Sequence, residues 1–381
     1  MEHQDKSGSQ QMVPASPQAL ALRSSTIVAR GLRDLARDSN WLIKKIFNAR
    51  CSQLAISASG QVCAVAALAP LGAERVCLFD IELSSPISML AIPPDQPPGQ
   101  TGLPAAFAYS PTARHLLAAW GAWPSELQVF DLHGKMFLGS FGEFSNVPES
   151  LAWSASGKYL AAAMLGGREA KLRLWEAADS RFGLPFAGKP VAELGAPSTL
   201  ADLLGAQAPN EDSDDDGTFS GFGRSSFSPD DGTLAAVVRI EGEWADDSLA
   251  LFEVPTLRRQ HAFPAQGRIT DVAWAFDGRQ VIFCSAGQAY RLLADTMQPD
   301  PLPLGAELCA CHPLLPLCLC YSSWLKNSAK GRLFLIDLER LAVFDECPAE
   351  GVVDLRWSLD GSKAYAVTAD GLAYIYEPPL V

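Results

Sequence analysis

From residue 41 to its end the chain alternates apolar and polar residues in short runs. Asp-Gly, Ser-Pro and other turn pairs separate the runs, as expected of strands in antiparallel meanders rather than helices. The last stretch is the clearest. VVDLRWS, ending at Ser358, is followed by a turn at Leu359-Asp360-Gly361; KAYAVTA covers Lys363 to Ala369; Asp370-Gly371 turns the chain into LAYIYE. Asp-Gly between alternating runs is a strong hairpin signal. Three strands make a poor free-standing sheet, and the third would be an open edge.

The same pattern recurs upstream. Aligning each unit on the residue after the last large apolar position of its leading strand gives Ser57, Ser110, Ser154, Ser228, Ala275, His312 and Ser358, spaced by 53, 44, 74, 47, 37 and 46 residues. The one long interval is explained by the residues between Asp179 and Phe222. Units that cannot bury both faces alone must stack on their neighbours, so the repeat predicts a radial array of blades. Blocks such as LAWSASGKYLAAA with KLRLWEA, and FSPDDGTLAAVV with LALFEV, resemble WD-repeat β-propellers over about residues 41–381. The resemblance implies an all-β, seven-bladed propeller of four-stranded antiparallel blades, closed by pairing a strand from one terminus with the blade at the other. No unit carries the Gly-His pair of a full WD repeat, and the terminal Trp-Asp survives only as FD, WE, FE, ID or YE, so packing is expected to replace the family's His-Asp network.

Residues 41–48, WLIKKIFN, have no other assignment and are expected to supply the outer strand of the last blade, removing its edge. Residues 1–17 are polar and expected to be disordered. Residues 18–40 are expected to carry a short amphipathic helix, with Ile27, Val28, Leu32 and Leu35 on one face. An acidic loop insert is placed around residues 195–222. Its Asp212-Ser213-Asp214-Asp215-Asp216-Gly217 run matches the first half of a calcium loop, but the twelfth position is Gly223 rather than Glu, so it reads as a solvated loop.

Composition narrows the function. The formal net charge of −13 disfavours nucleic acid as a partner. No apolar run is long enough for a membrane-spanning helix, and no secretory signal is visible. Nine cysteines, an odd and scattered set, suit a reducing compartment, and the chain is expected to be cytoplasmic.

Three groups of residues are candidates for chemistry or binding. The loops between the second and third strands of a blade share a surface with the connections between blades, and three of them carry Trp120, Trp123, Trp244 and Trp324. Aromatic residues on a loop face are anchors for a protein or peptide partner, or they fold back over the blades. Cys309, Cys311, Cys318 and Cys320 form two Cys-x-Cys pairs on adjacent strands. They could supply four thiolates to zinc, but the spacing chelates poorly and the positions align with core residues of other units. Glu149, Asp271, Glu307 and Asp354 stand near strand starts, where some propellers hold a metal at the channel mouth. Hydrogen bonds to loops are the simpler expectation. The five histidines lie in no recognisable motif and there is no phosphate-binding loop; the resemblance to WD-repeat propellers, with the clustered tryptophan loops, implies a non-enzymatic scaffold, expected to carry no cofactor. A lactonase-like metal hydrolase and a structural subunit of a larger assembly are the alternatives.

Overall fold

The structure is a computed structural model. It describes residues 41–45, 53–57, 62–68, 74–90, 106–111, 115–119, 125–144, 148–165, 170–177, 186, 189–196, 220–240, 246–323 and 331–378. Its strands form seven antiparallel sheets of four. Blade 1 comprises Gln53–Ile56, Val62–Leu68, Glu74–Asp80 and Ser85–Leu90; blade 2 comprises Ala106–Tyr109, His115–Ala119, Ser125–Asp131 and Met136–Phe144. Blade 3 follows with Pro148–Trp153, Tyr159–Met164, Lys171–Glu176 and Ala192–Gly195, and blade 4 with Ser220–Phe227, Thr233–Ile240, Ser248–Glu253 and Arg258–Pro264. Blade 5 is Ile269–Trp274, Gln280–Ser285, Gln288–Leu293 and Pro299–Pro301; blade 6 is Leu308–Cys311, Leu317–Ser322, Arg332–Asp337 and Ala342–Pro348. Blade 7 takes Val352–Trp357, Ala364–Thr368 and Leu372–Tyr376 from one end of the chain and Trp41–Lys45 from the other. The first strands of successive blades lie side by side in a closed ring, blade 7 against blade 1.

The closing strand pairs from Trp41 opposite Tyr376 to Lys45 opposite Leu372. Of the expected 41–48, residues 46–48 lie outside the described residues. The expected N-terminal helix also lies outside them; among the described residues there is no helix. The insert is narrower than 195–222 at both ends. Gly195 ends the outer strand of blade 3, and Ser220-Gly221-Phe222 opens the first strand of blade 4. Ser-Gly-Phe-Gly reads as loop by composition, yet Gly221 and Phe222 pair with Arg239 and Val238.

Packing between blades carries the fold. In blades 3 to 7 the second strands are buried on both faces, and their period of two divides each between two interfaces. Leu160, Ala162 and Met164 pack toward blade 2, whereas Tyr159, Ala161 and Ala163 pack toward blade 4. A hydrophobic cluster fills each interface around the ring, including the closing one, where Ile56 and Ile81 meet Tyr365, Val367 and Ile375. Each buried Leu or Ile is worth roughly 1.5–3 kcal/mol against about 1 kcal/mol for a turn hydrogen bond, so the interfaces dominate.

The anchor residues have a common task. Ser110, Ser154, Ser228 and Ser358 each accept the backbone N–H five residues on, from His115, Tyr159, Thr233 and Lys363, at 2.9–3.0 Å. In blades 4 and 7 the same hydroxyl donates to Asp230 or Asp360, whose carboxylate takes a second turn N–H. A Ser-x-Asp turn thus closes the first hairpin of these two blades.

Candidate functional site

Within a blade, the first-to-second and third-to-fourth turns emerge on one face of the ring. The second-to-third loops and the connections between blades emerge on the other. Trp120 and Trp123 fall between Ala119 and Ser125 in blade 2, Trp244 between Ile240 and Ser248 in blade 4, and Trp324 between Ser322 and Arg332 in blade 6. All four join second to third strands, so their loops begin and end on one face. The tryptophans themselves lie outside the described residues, as does the acidic Asp212–Gly217 run.

The candidate channel carboxylates are used between blades. A bulge precedes Asp271 and Asp354 in their first strands, and each carboxylate then reaches the next blade. Asp271 accepts from Cys309 N in blade 6 and Asp354 from Ile56 N in blade 1, both at 3.0 Å. Ser150, likewise just past a bulge, accepts from Ser225 N of blade 4 at 3.3 Å. Burial pushes Asp271 up to about 6 despite the positive charge of Arg224, and burial also raises Asp354. The indoles of Trp274 and Trp357 reach back the other way, donating at 3.0 Å to Ser226 O of blade 4 and Ala310 O of blade 6. Trp153 occupies the same column but packs on Phe186, with ring centroids 4.9 Å apart. Its Nε1 meets no acceptor among the described residues.

Glu149 and Glu307 are engaged as well. Glu307 accepts from the Ser323 hydroxyl. Glu149 takes two hydrogen bonds from Arg239 at 3.0 and 3.2 Å. Arg239 ties three blades together: it also donates to Asp247 at 3.3 Å and reaches Ile269 O at 3.5 Å. Asp247, 2% exposed, accepts Ile269 N at 2.8 Å. Burial raises its pKa, and the Ile269 N–H and Arg239 oppose that rise. No sequence motif marked Arg239, because its partners are 8, 30 and 90 residues away.

The four cysteines of blade 6 do share one side of the sheet. Cys309 pairs with Cys320 and Cys311 with Cys318 across the hairpin. That side faces blade 5, where Cys284, Ile282 and Ala275 join the same cluster. The Cys311 and Cys318 sulfurs are 3.7 Å apart, and those of Cys318 and Cys320 are 3.8 Å apart. Cys309 donates to Ile282 O, as Cys311 does, at longer range, to Ala273 O. Its hydrogen bond to Cys318, together with burial, holds each of Cys311 and Cys320 well above the ordinary thiol range. Among the described residues no group of His, Cys, Asp and Glu is arranged to hold a metal ion. The cluster packs as small apolar side chains.

His312 stands in the anchor-serine column and does the serine's work with a ring. Its Nδ1 accepts Leu314 N and Leu315 N at 2.9 and 3.0 Å, so the proton resides on Nε2, which donates to Gly361 O at 3.0 Å. The ring lies 4.5 Å from that of Trp357. A Cβ at Gly361 would meet the imidazole at 2.2 Å, so only glycine fits here. Burial pushes His312 down to about 4.

With this geometry in hand, solved structures supply relatives in fold. A chain of a mitotic checkpoint complex superposes with a TM-score of 0.61 at 13% identity, covering 88% of this chain and 91% of its own. A chain of Kuenenia stuttgartiensis hydrazine synthase gives 0.61 at 14% identity, covering 89% and 98%. A β-propeller domain from Myceliophteria thermophila gives 0.59 at 12% identity, covering 88% and 100%. No protein-family model and no curated protein matches the sequence. The chain is a β-propeller, and its likeness to WD-repeat propellers is a likeness of fold. That fold occurs both in a checkpoint complex and in an enzyme, so activity must be argued from the residues.

Proposed function

We propose that this chain is a non-catalytic interaction platform that takes a protein or peptide partner on its second-to-third loop face. One observation carries the reading: the ring brings the loops of Trp120, Trp123, Trp244 and Trp324 out on one face from strands packed in a common frame. Aromatic anchors presented by a rigid scaffold bind with little ordering cost. The fold is shared with a component of a multi-protein assembly. The candidate channel carboxylates fasten neighbouring blades or side chains, which fits a scaffold better than a metal-dependent hydrolase. The free cysteines fit a cytoplasmic setting.

Changing Trp123, Trp244 and Trp324 together to Ala tests the loop face. Pull-downs with the folded triple variant should lose the partners that wild type retains. Retention of the same partners at the same yield would remove this face from consideration.

A further inference from the structure

Five of the seven exposed large apolar side chains among the described residues gather on the face opposite the tryptophan loops; the other two are Ile87, within the outer strand of blade 1, and Val191, just before that of blade 3. Leu314 and Leu359 stand in the first-to-second turns of blades 6 and 7. Leu83 and Met136 lie at the third-to-fourth turns of blades 1 and 2, and Val343 beside that of blade 6. Leu83 is 75% exposed and Met136 and Leu359 55%. Blades 6, 7, 1 and 2 are consecutive in the ring, so these residues form an arc. On the same face, the tips of blades 4 and 5 instead show Asp230, Asp231, Thr256, Asp277 and Arg279.

An apolar arc of this kind marks a contact surface when its rim is polar, and its charge selects the partner. Glu82, Asp131, Glu339, Asp360 and Glu377 lie along it. Of the cations in these turns, Lys363 is held by Glu82 at 2.5 Å and Glu377 at 3.1 Å. Arg340 is within 3.8 Å of Asp337. Lys135 is the remaining one among the described residues. The rim is therefore negative. An anionic lipid surface or a nucleic-acid backbone would be repelled, whereas a cationic amphipathic segment would satisfy both the leucines and the carboxylates.

We propose that the turn face of blades 6, 7, 1 and 2 is a second docking surface, and that its occupant is a basic amphipathic helix of a partner protein. This rests on the reading of the chain as an interaction platform and adds a face and a partner chemistry to it. Leu314 and Leu359, near the axis, take the apolar side of the helix, while Glu82, Glu339 and Glu377 meet its Lys or Arg residues.

The test uses the full-length chain and a fluorescent helical peptide with Leu at i, i+3, i+4 and i+7 and Lys elsewhere. Control peptides replace Leu by Ser, or Lys by Glu. Fluorescence anisotropy should show binding of the Leu/Lys peptide alone. It should weaken about tenfold in Leu83→Ser/Leu314→Ser/Leu359→Ser, whose net charge is unchanged, and should persist in the Trp123/Trp244/Trp324→Ala variant. Phosphatidylserine vesicles should not bind. Equal affinity of the Leu/Ser peptide, or equal affinity of the leucine variant, would reduce the effect to bulk charge and overturn the proposal. No peptide binding, or vesicle binding abolished by the leucine changes, would overturn it too. If only the tryptophan variant lost the peptide, the arc would be wrong while the loop face stood. If peptide binding depended on the leucines and the pull-down partners ignored the tryptophans, the arc would stand alone. A matched thermal melt of each variant confirms that it is folded.

Discussion

Arg239→Ala is expected to destabilise the ring by about 3–5 kcal/mol, the usual cost of leaving a buried charge without its partner. The loss comes from Asp247 rather than from Glu149. The Asp247 side chain is 3% exposed, whereas that of Glu149 is 37% exposed and solvent weakens its pair. With the guanidinium gone, Asp247 keeps the Ile269 N–H and only the weaker pull of Arg268 at this junction of blades 3, 4 and 5. Urea denaturation measures the effect. Adding Asp247→Asn should recover a large part of it, because the amide carries no charge while its oxygen can still accept Ile269 N. A loss below about 1 kcal/mol in the single variant would mean that water replaces the arginine.

Stability should also depend on His312 as pH falls. Its folded pKa of about 4 lies below the ordinary histidine value of 6.5, so neutral imidazole stabilises the fold fully above pH 6.5. That contribution erodes as pH drops toward 4, by about 3 kcal/mol, because burial disfavours the charged ring; a proton on Nδ1 would also cancel both turn hydrogen bonds. Asp271 works in the opposite sense. With its pKa raised from 3.8 to about 6, it favours the fold most below pH 3.8 and loses that advantage as pH rises through 6. The two contributions nearly cancel in the wild type. Comparing His312→Gln with wild type separates them. The wild type's advantage over this variant should shrink by about 3 kcal/mol between pH 7 and pH 4, while Asp271→Asn should change relative stability in the other direction. A stability difference between wild type and His312→Gln that is independent of pH would contradict the assigned tautomer and its burial.

The sequence made the blades legible wherever a local rule governs. Alternation predicted strands, Asp-Gly predicted turns, and the recurring serine marked a hairpin that its own hydroxyl closes. The unpaired edge of Leu372–Tyr376 called for a further strand, and the resemblance to WD-repeat propellers pointed to the other terminus for it. What could not be read depends on neighbours distant in the chain. Asp271 and Asp354 were expected to hydrogen-bond to loops rather than hold a metal at the channel mouth, but their partners, N–H groups of the next blade, could not be named. Lys363 and Glu82 lie 281 residues apart and meet only after the ring closes. His312 fell in the serine column, yet its function needed the missing side chain of Gly361. Ser220–Phe222 was assigned to the insert because its composition is that of a loop, and pairing with the second strand of blade 4 overrode that composition. The cysteines illustrate the limit in another way. Their spacing correctly placed them on one face of adjacent strands, but the packing against blade 5 that occupies that face was not a property of the motif.

Both proposed docking faces depend on the ring being closed by Trp41–Lys45. The measurement that tests this most directly is hydrogen exchange at the amides of Leu372–Tyr376 in a variant lacking residues 41–45, read beside its calorimetric melt. Closure by that strand predicts that amides bonded to Trp41–Lys45 lose protection and that the variant melts at a lower temperature, with blade 7 separating from the main transition. Unchanged protection along Leu372–Tyr376 and an unchanged, equally cooperative melt would contradict it.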